Sequence, residues 1–395
     1  MAALRVRDFR LLWAARTVSV FGTWLLVVAV PAHVFHLTGS VLAAGAALAA
    51  EFLPPVLLGP FAGVLVDRWD RRRAMVAAEV LRAAAVTLLL FARDPGDLWL
   101  VYVALVVEST GTVVFRPAAQ AHLPVVVGTG TVLSGANALN SVTDGVARLV
   151  GAPLGGALVG VIGFPALVLA DVASYLVSAG LIASMSRRAG GDKGSGVGDE
   201  LRAGLAFLRS QRTARTLLVV STVFLAANAS LSALLVPFGI TALGGDGPVG
   251  LVMSGLGVGF LLGAPLSRVL VDRLRSGPLL AGALVVTSVG FVLLFSSASL
   301  ISALPAAVLI GLAGSAALVV TQTALQRVTP TEVLGRVGAV MFTGEAVATF
   351  VGALAGPALA ELTSARTTAY AACAVTVFAA VYATSTPSVH QPFAS

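Results

Sequence analysis

The sequence predicts an all-α integral membrane protein of twelve transmembrane helices, built as two repeated halves. Three observations carry that expectation: the composition, a stretch that recurs 205 residues further along, and a one-sided distribution of basic residues. Of the 395 residues, 57% are hydrophobic and 11% charged, with a mean hydropathy of +0.96. A soluble domain carries roughly 25% charged residues, so this chain has too little polar surface to coat a water-soluble particle. In the stretch Pro60 to Arg68 an apolar run stops at Asp67-Arg68, and Arg71, Arg72 and Arg73 follow. Pro265 to Arg273 repeats it, with Pro, Val-Leu-Val and Asp-Arg in identical places. A repeat of half the chain, each copy ending an apolar helix at Asp-Arg, marks a duplicated membrane protein.

Twelve stretches are long enough to cross about 30 Å of hydrocarbon. They run over 9–36, 41–66, 73–92, 98–121, 131–161 and 164–186, then 215–240, 249–272, 277–297, 300–325, 333–361 and 366–386. The expected organisation is therefore 1–186, a linker at 187–214, and 215–395. The first span follows Arg5, Arg7 and Arg10 in the manner of a signal peptide, but its apolar run of about 26 residues suits a retained span. Asp94-Pro95-Gly96-Asp97 separates the third and fourth spans, and Gly244-Gly245-Asp246-Gly247-Pro248 the seventh and eighth; both are turn chemistry.

Counting Lys and Arg gives the topology. Eighteen of the 25 fall in the N-terminus, the even-to-odd loops and the linker. The opposite loops hold only Arg93 and Arg366, and Arg16, Arg82, Arg116, Arg148 and Arg268 lie inside spans. That bias places both termini in the cytoplasm and the chain in the cytoplasmic membrane. An odd number of spans would scramble the alternation. The linker is glycine-rich at first. Then Leu201, Leu205 and Leu208 share one face beside Arg202 and Arg209, which predicts an amphipathic helix lying on the inner leaflet.

Helix contacts are written in small residues. Gly255, Gly259 and Gly263 are spaced by four, as are Gly59 and Gly63, Gly151 and Gly155, and Gly352 and Gly356. Lipid supplies no hydrophobic drive between helices, so close backbone approach at such residues must hold them together. The duplication recurs here, Gly151 and Leu154 matching Gly356 and Leu359 at the same offset.

Several function classes are excluded. The net charge of +7 is topology rather than a nucleic-acid footprint. Lys193 is the single lysine, and Gly-Asp-Lys-Gly-Ser around it lacks the upstream glycine of a phosphate loop. Cys373 is the only cysteine, and His33, His36, His122 and His390 are scattered, so no cofactor, disulfide or metal centre is expected. An enzyme would show clustered His, Asp and Glu or a nucleophile with its base.

These residues resemble the major facilitator superfamily. Gly63-x-Leu65-x-Asp67-Arg68-x-x-Arg71-Arg72 looks like its signature between the second and third helices, with Asp70 where the general pattern has glycine. That variant is typical of the subgroup that includes the enterobactin exporter. The resemblance extends through Thr38-Gly39-Ser40, Glu51-x-x-Pro54, Asn137-Ala138-Leu139-Asn140, Gly335-Arg336 and the linker. It implies two pseudo-symmetric six-helix bundles, a central cavity and alternating access. The exporter motif of the fifth helix is partly kept: Gly151-Ala152-Pro153-Leu154-Gly155-Gly156 retains the glycines with its proline one place later. In the eleventh helix Gly356-Pro357 keeps the proline in register without the final glycine pair.

On that resemblance Asp67, Arg68, Arg71, Arg72, Asp272 and Arg273 form a conformational latch that holds one access state shut; the alternative is a positive-inside anchor. Glu51, Glu79, Glu108, Asp144, Asp171 and Glu345 are acids inside spans, where a charge is costly enough to need a reason. Burial raises a carboxylate's pKa and a nearby arginine lowers it, so a balanced carboxyl can carry a proton. Glu51, Asp144 with Arg148, Glu108 and Glu345 are the candidates for coupling. Asp144 and Arg148 stand four apart and could instead form a static pair, Asp171 suits a structural role, and Glu345 could face the cavity or pack beside Gly344. Arg16 and Arg116 lie on helices that line the cavity in this superfamily and could hold an anionic substrate; Arg16 could equally snorkel to the cytoplasm. Asn137, Asn140, Asn228 and Gln322 are neutral cavity candidates or inter-helix bridges. The expected function is proton-coupled export of a small amphipathic molecule such as a drug, siderophore or secondary metabolite, by a monomer in the bilayer. An importer or uncoupled facilitator of the same fold is the nearest rival, and a polytopic sensor or membrane enzyme the remote one.

Overall fold

The computed structural model describes residues 2–67, 69–128, 130–186 and 206–384. Its long helices are α1 (Arg7–Thr38), α2 (Val41–Asp67), α3 (Arg71–Thr87), α4 (Leu98–Val127), α5 (Thr131–Ile162) and α6 (Phe164–Ala183). After the linker come α7 (Arg212–Ala242), α8 (Asp246–Arg273), α9 (Ser276–Ser296), α10 (Leu300–Val328), α11 (Thr331–Leu362) and α12 (Ala365–Thr384). Among the described residues these twelve are long and apolar enough to cross a membrane.

Helix ends follow the expected punctuation. Asp70 caps α3, its carboxylate accepting from the Arg73 amide at 2.9 Å. The turn at Pro95–Asp97 is a single 3-10 turn in which the Asp94 amide donates to the Asp97 carboxylate at 3.2 Å. Before α8 the chain passes through Gly244 and Gly245 at φ 96° and 121°, a region only glycine enters without strain. α4 continues to Val127, past the span end expected near residue 121. The added residues, His122 to Val127, are mostly apolar themselves, and the helix runs through Pro124 until Gly128, at φ 75°, ends it.

The chain divides into two compact units, Met1–Gly39 with Ala46–Val197, and Ser40–Gly45 with Gly198–Ser395. In the first, α1 packs on α5 and α6, while α3 packs on α4 and α6. Phe9, Leu12, Met75, Phe115, Leu123 and Ile182 form one of its cores. In the second, α7 packs on α11 and α12, and α9 on α10 and α12. These four pairings of the first unit thus recur six helices later in the second, as duplication requires. Phe238, Phe291 and Phe295 meet in one core of the second unit, the Phe238 and Phe295 rings tilted by 50° with 4.8 Å between their centroids.

The small-residue spacings mark the tightest approaches. A Cβ on Gly155 would stand 2.1 Å from the Leu25 carbonyl oxygen, and one on Gly151 2.5 Å from the Trp24 Cβ. In the second unit Gly352 meets the Ala226 carbonyl and Gly356 meets Ser230 in the same way. Gly259 and Gly263 of α8 lie against the α10 backbone. Each pair exchanges a side chain for backbone contact.

Candidate functional site

The first unit holds its charges inside the span-forming helices, in two groups. The inner group is centred on Arg82 of α3, which is 5% exposed. Its guanidinium donates from Nε to Glu108 Oε1 at 2.8 Å, and from Nη1 to Ser19 Oγ at 3.1 Å and Glu79 Oε2 at 3.3 Å. Nη2 reaches Thr23 Oγ1 at 3.2 Å and Tyr175 OH at 3.0 Å. The Tyr175 hydroxyl also donates to Glu108 Oε1 at 3.1 Å, and the Arg82 guanidinium lies 4.1 Å from the Tyr175 ring centroid. Ser178 donates to Glu79 Oε1 at 2.9 Å. Four helices, α1, α3, α4 and α6, therefore meet on one cation and two carboxylates. Glu79 and Arg82 share a face because they stand three apart on α3. Asp171, 1% exposed on α6, accepts from Ser174 at 3.1 Å at the edge of this group.

The outer group lies on α1, α4 and α5. Arg16 donates to Asp144 Oδ2 at 2.5 Å, and Trp13 Nε1 donates to Thr143 Oγ1 at 3.0 Å, fixing α1 on α5. The other carboxylate oxygen, Asp144 Oδ1, is buried without a donor among the described residues. Arg116 of α4 and Arg148 of α5 lie within electrostatic reach of the same carboxylate. The Arg148 guanidinium sits 5.0 Å from the Trp24 ring centroid. Arg116 makes no hydrogen bond or ion pair among the described residues. Asp144 is thus ion-paired across helices with Arg16, rather than along its own helix at the four-residue spacing.

Glu51 on α2 is half-buried; its backbone carbonyl accepts from Ser109 Oγ at 2.5 Å, and its charged neighbour is Glu108. Glu345 on α11 is half-buried in the second unit; its backbone carbonyl accepts from Thr349 Oγ1 at 2.8 Å, and its carboxylate makes no hydrogen bond among the described residues. The side chains of Asn137, Asn140, Asn228 and Gln322 make no hydrogen bond among the described residues, and Asn137 and Gln322 are exposed. Arg71 donates to the Ala121 carbonyl at 3.1 Å, and Arg72 to the carbonyls of Ile182 and Ala183. Gly63 lies in the backbone of α2, and Arg273 is the last residue of α8. Arg68, the side chains of Asp67 and Asp272, and linker residues 187–205 lie outside the described residues; residues 206–210 are helical. Pro153 and Pro357 sit inside α5 and α11, and Gly156 is buried.

Arg82, Tyr175, Ser19 and Thr23 were not singled out by sequence reasoning. The available signal was the Glu79 to Arg82 spacing within an apolar span, an acid–base pair that only a buried partner set explains.

Twelve spans, a duplicated helix arrangement and ionisable groups held within the spans define a polytopic membrane protein. A family model described as transmembrane secretion effector matches residues 1–391, and the chain belongs to that family of the major facilitator superfamily. It is similar to macrolide efflux protein A of Streptococcus pyogenes, 28% identical over 223 residues, 55% of each chain. An uncharacterized transporter of Bacillus subtilis, YfiS, is 29% identical over 179 residues, 45% of this chain and 42% of that one. The chain spans about half the length of the curated relatives it matches. In fold it matches the nucleoside transporter NupG, with a TM-score of 0.78 at 10% identity over 96% of this chain and 98% of that one. It also matches a bacterial homologue of the lysosomal transporter Spinster, with a TM-score of 0.73 at 15% identity over 95% of each.

Proposed function

We propose that this protein is a secondary active exporter that moves a small amphipathic molecule out across the cytoplasmic membrane in exchange for protons, by alternating access. The observation that carries the reading is the Glu79–Arg82–Glu108–Tyr175 group, buried within four spans of a secretion-family protein. Ionisable groups at that depth are costly, and proton relays are a common reason for keeping them. The family description and the efflux proteins among its relatives support the outward direction. Drugs, siderophores and secondary metabolites fit as cargo. In this reading Glu51, Glu108, Asp144 and Glu345 are the coupling carboxyls, and Asp67, Arg68, Arg71, Arg72, Asp272 and Arg273 the latch. The working unit is a monomer with both termini in the cytoplasm.

Inverted vesicles with an acidic lumen and a trapped pH dye test the coupling. Adding a transported drug or siderophore should raise luminal pH, because substrate enters as protons leave. Downhill substrate flux with no pH change would replace the exchanger by a facilitator.

A further inference from the structure

In the second unit, where α9 hands over to α10, a cavity of about 460 Å³ opens between the two helices. Leu293, Pro305 and Leu309 form its apolar walls, and Ser296 and Ser302 stand at its rim. Ser302, Pro305 and Leu309 follow one another at helical spacing on a single face of α10. From the first residue of α10 to Leu309 that wall descends roughly 14 Å, at 1.5 Å per residue. The cavity therefore starts at the level of the helix ends and runs down beside apolar side chains. Val285, Val289 and Val292 continue an exposed apolar stripe along α9.

Arg366, in the first turn of α12, brings a charge to the same level. Its Nε donates to the carbonyl of Phe295, the residue before Ser296, at 3.0 Å. Nη1 and Nη2 make no hydrogen bond among the described residues. One turn further on, the Tyr370 hydroxyl meets Ser296 Oγ at 2.8 Å. Ser296 and Ser302 donate to the Val292 and Ser299 carbonyls at 2.6 and 2.9 Å, which leaves their oxygens as acceptors. Arg366 is the only charged residue of α12, α9 has none, and α10 has only Arg327 at its far end. The acid closest in sequence, Glu361 of α11, accepts from Ser40 Oγ at 2.5 Å and the Leu42 amide at 3.1 Å. No ion pair joins it to Arg366 among the described residues. From these contacts we infer that the α9/α10 cavity binds an anionic phospholipid. The Nη1/Nη2 edge of Arg366 receives the phosphate, the serine oxygens accept from a headgroup hydroxyl, and one acyl chain lies along Leu293, Pro305 and Leu309. Tyrosine and arginine at helix ends meet headgroups, whereas a soluble anion would make no use of the apolar wall. The inference needs only the spans and is independent of cargo and transport direction.

A fluorophore at the mouth of the cavity tests it. In a Cys373→Ser background, Ile301→Cys carries a bimane label beside Ser302, at a position 85% exposed. The full-length protein is reconstituted in phosphatidylcholine vesicles and titrated with lipid bearing a quenching doxyl group near the head of one chain. That lipid is either phosphatidylglycerol or phosphatidylcholine. The glycerol lipid should quench at a roughly fivefold lower mole fraction, the attraction of one arginine for an anionic headgroup. Raising KCl from about 0.05 M to about 0.5 M should shrink that advantage. Arg366→Gln should bring the two lipids level. Arg93→Gln, which removes the other basic residue expected on this side of the spans, should leave the advantage unchanged. Inorganic phosphate in large excess should not relieve the quenching. Equal quenching by the two lipids with Arg366 in place overturns the proposal, and that comparison does not depend on the arginine variants. An advantage that survives in an Arg366→Gln protein with the unsubstituted gel-filtration profile overturns it as well. Relief by phosphate overturns it too, and makes the cavity a site for a soluble anion.

Discussion

Arg82 is satisfied by five oxygens from four helices, Ser19 and Thr23 on α1, Glu79 on its own helix, Glu108 on α4 and Tyr175 on α6. Removing the cation would leave Glu79 and Glu108 buried against each other with only hydroxyl donors. Breaking a buried pair from one side costs about 3–5 kcal/mol, because the remaining charge stays uncompensated. Arg82→Met should therefore lower unfolding stability in micelles by about that amount, read from a denaturant titration against the wild type. Glu108→Gln, which keeps an acceptor for Arg82 Nε, should cost clearly less. Asp144 differs, since its pair with Arg16 is 28% and 44% exposed. Exposed pairs contribute about 0–1 kcal/mol, so Asp144→Asn should change unfolding stability by no more than about that amount. The partners of these residues were not legible in the sequence. Spacing on one helix put Asp144 beside Arg148, but the rotation of α5 against α1 decided for Arg16. Glu79, Arg82 and Glu108 could each be placed at a depth, yet only packing shows that they face one another.

Helices and their order were far more legible, because span length is set by the thickness of the hydrocarbon layer and turn residues announce themselves. The overrun of α4 to Val127 was hidden by His122 and Pro124, a polar residue and a proline that read as the end of a span although both lie inside the helix. Glycine spacing pointed to close contacts but could not name the opposing helix. The structure names it: Gly155 of α5 against the Leu25 carbonyl of α1, and Gly352 of α11 against the Ala226 carbonyl of α7. A methyl group at either place collides with backbone rather than with a movable side chain. Gly155→Ala and Gly352→Ala should each destabilise by about 1–3 kcal/mol, the usual cost of overpacking. Gly160→Ala on α5 and Gly282→Ala on α9 are the controls, because nothing lies within 4 Å of the added carbon. There the change should be neutral or gain up to about 1 kcal/mol from helix propensity. Thermal unfolding of the four variants in one detergent separates the two classes.

At the scale of the molecule, the same packing pattern in two units follows from a duplicated half, and an even number of spans returns the chain to its starting side. Which side that is depends on the basic residues, eighteen of which share the N-terminus, the even-to-odd loops and the linker. Moving such charges across during insertion is unfavourable, so the side that carries them is expected to be the cytoplasmic one. The orientation can be read with thiols, because Cys373 is the only native cysteine and is 4% exposed. In a Cys373→Ser background, Gly96→Cys puts a thiol on the exposed turn between α3 and α4, where a Cβ meets nothing. Ser210→Cys puts one on the exposed segment before α7. A membrane-impermeant maleimide added to intact cells should label the first and spare the second, and lysis should expose both. The opposite pattern would invert the molecule, placing the Asp67 and Asp272 repeats outside and turning the proposed exporter into an importer.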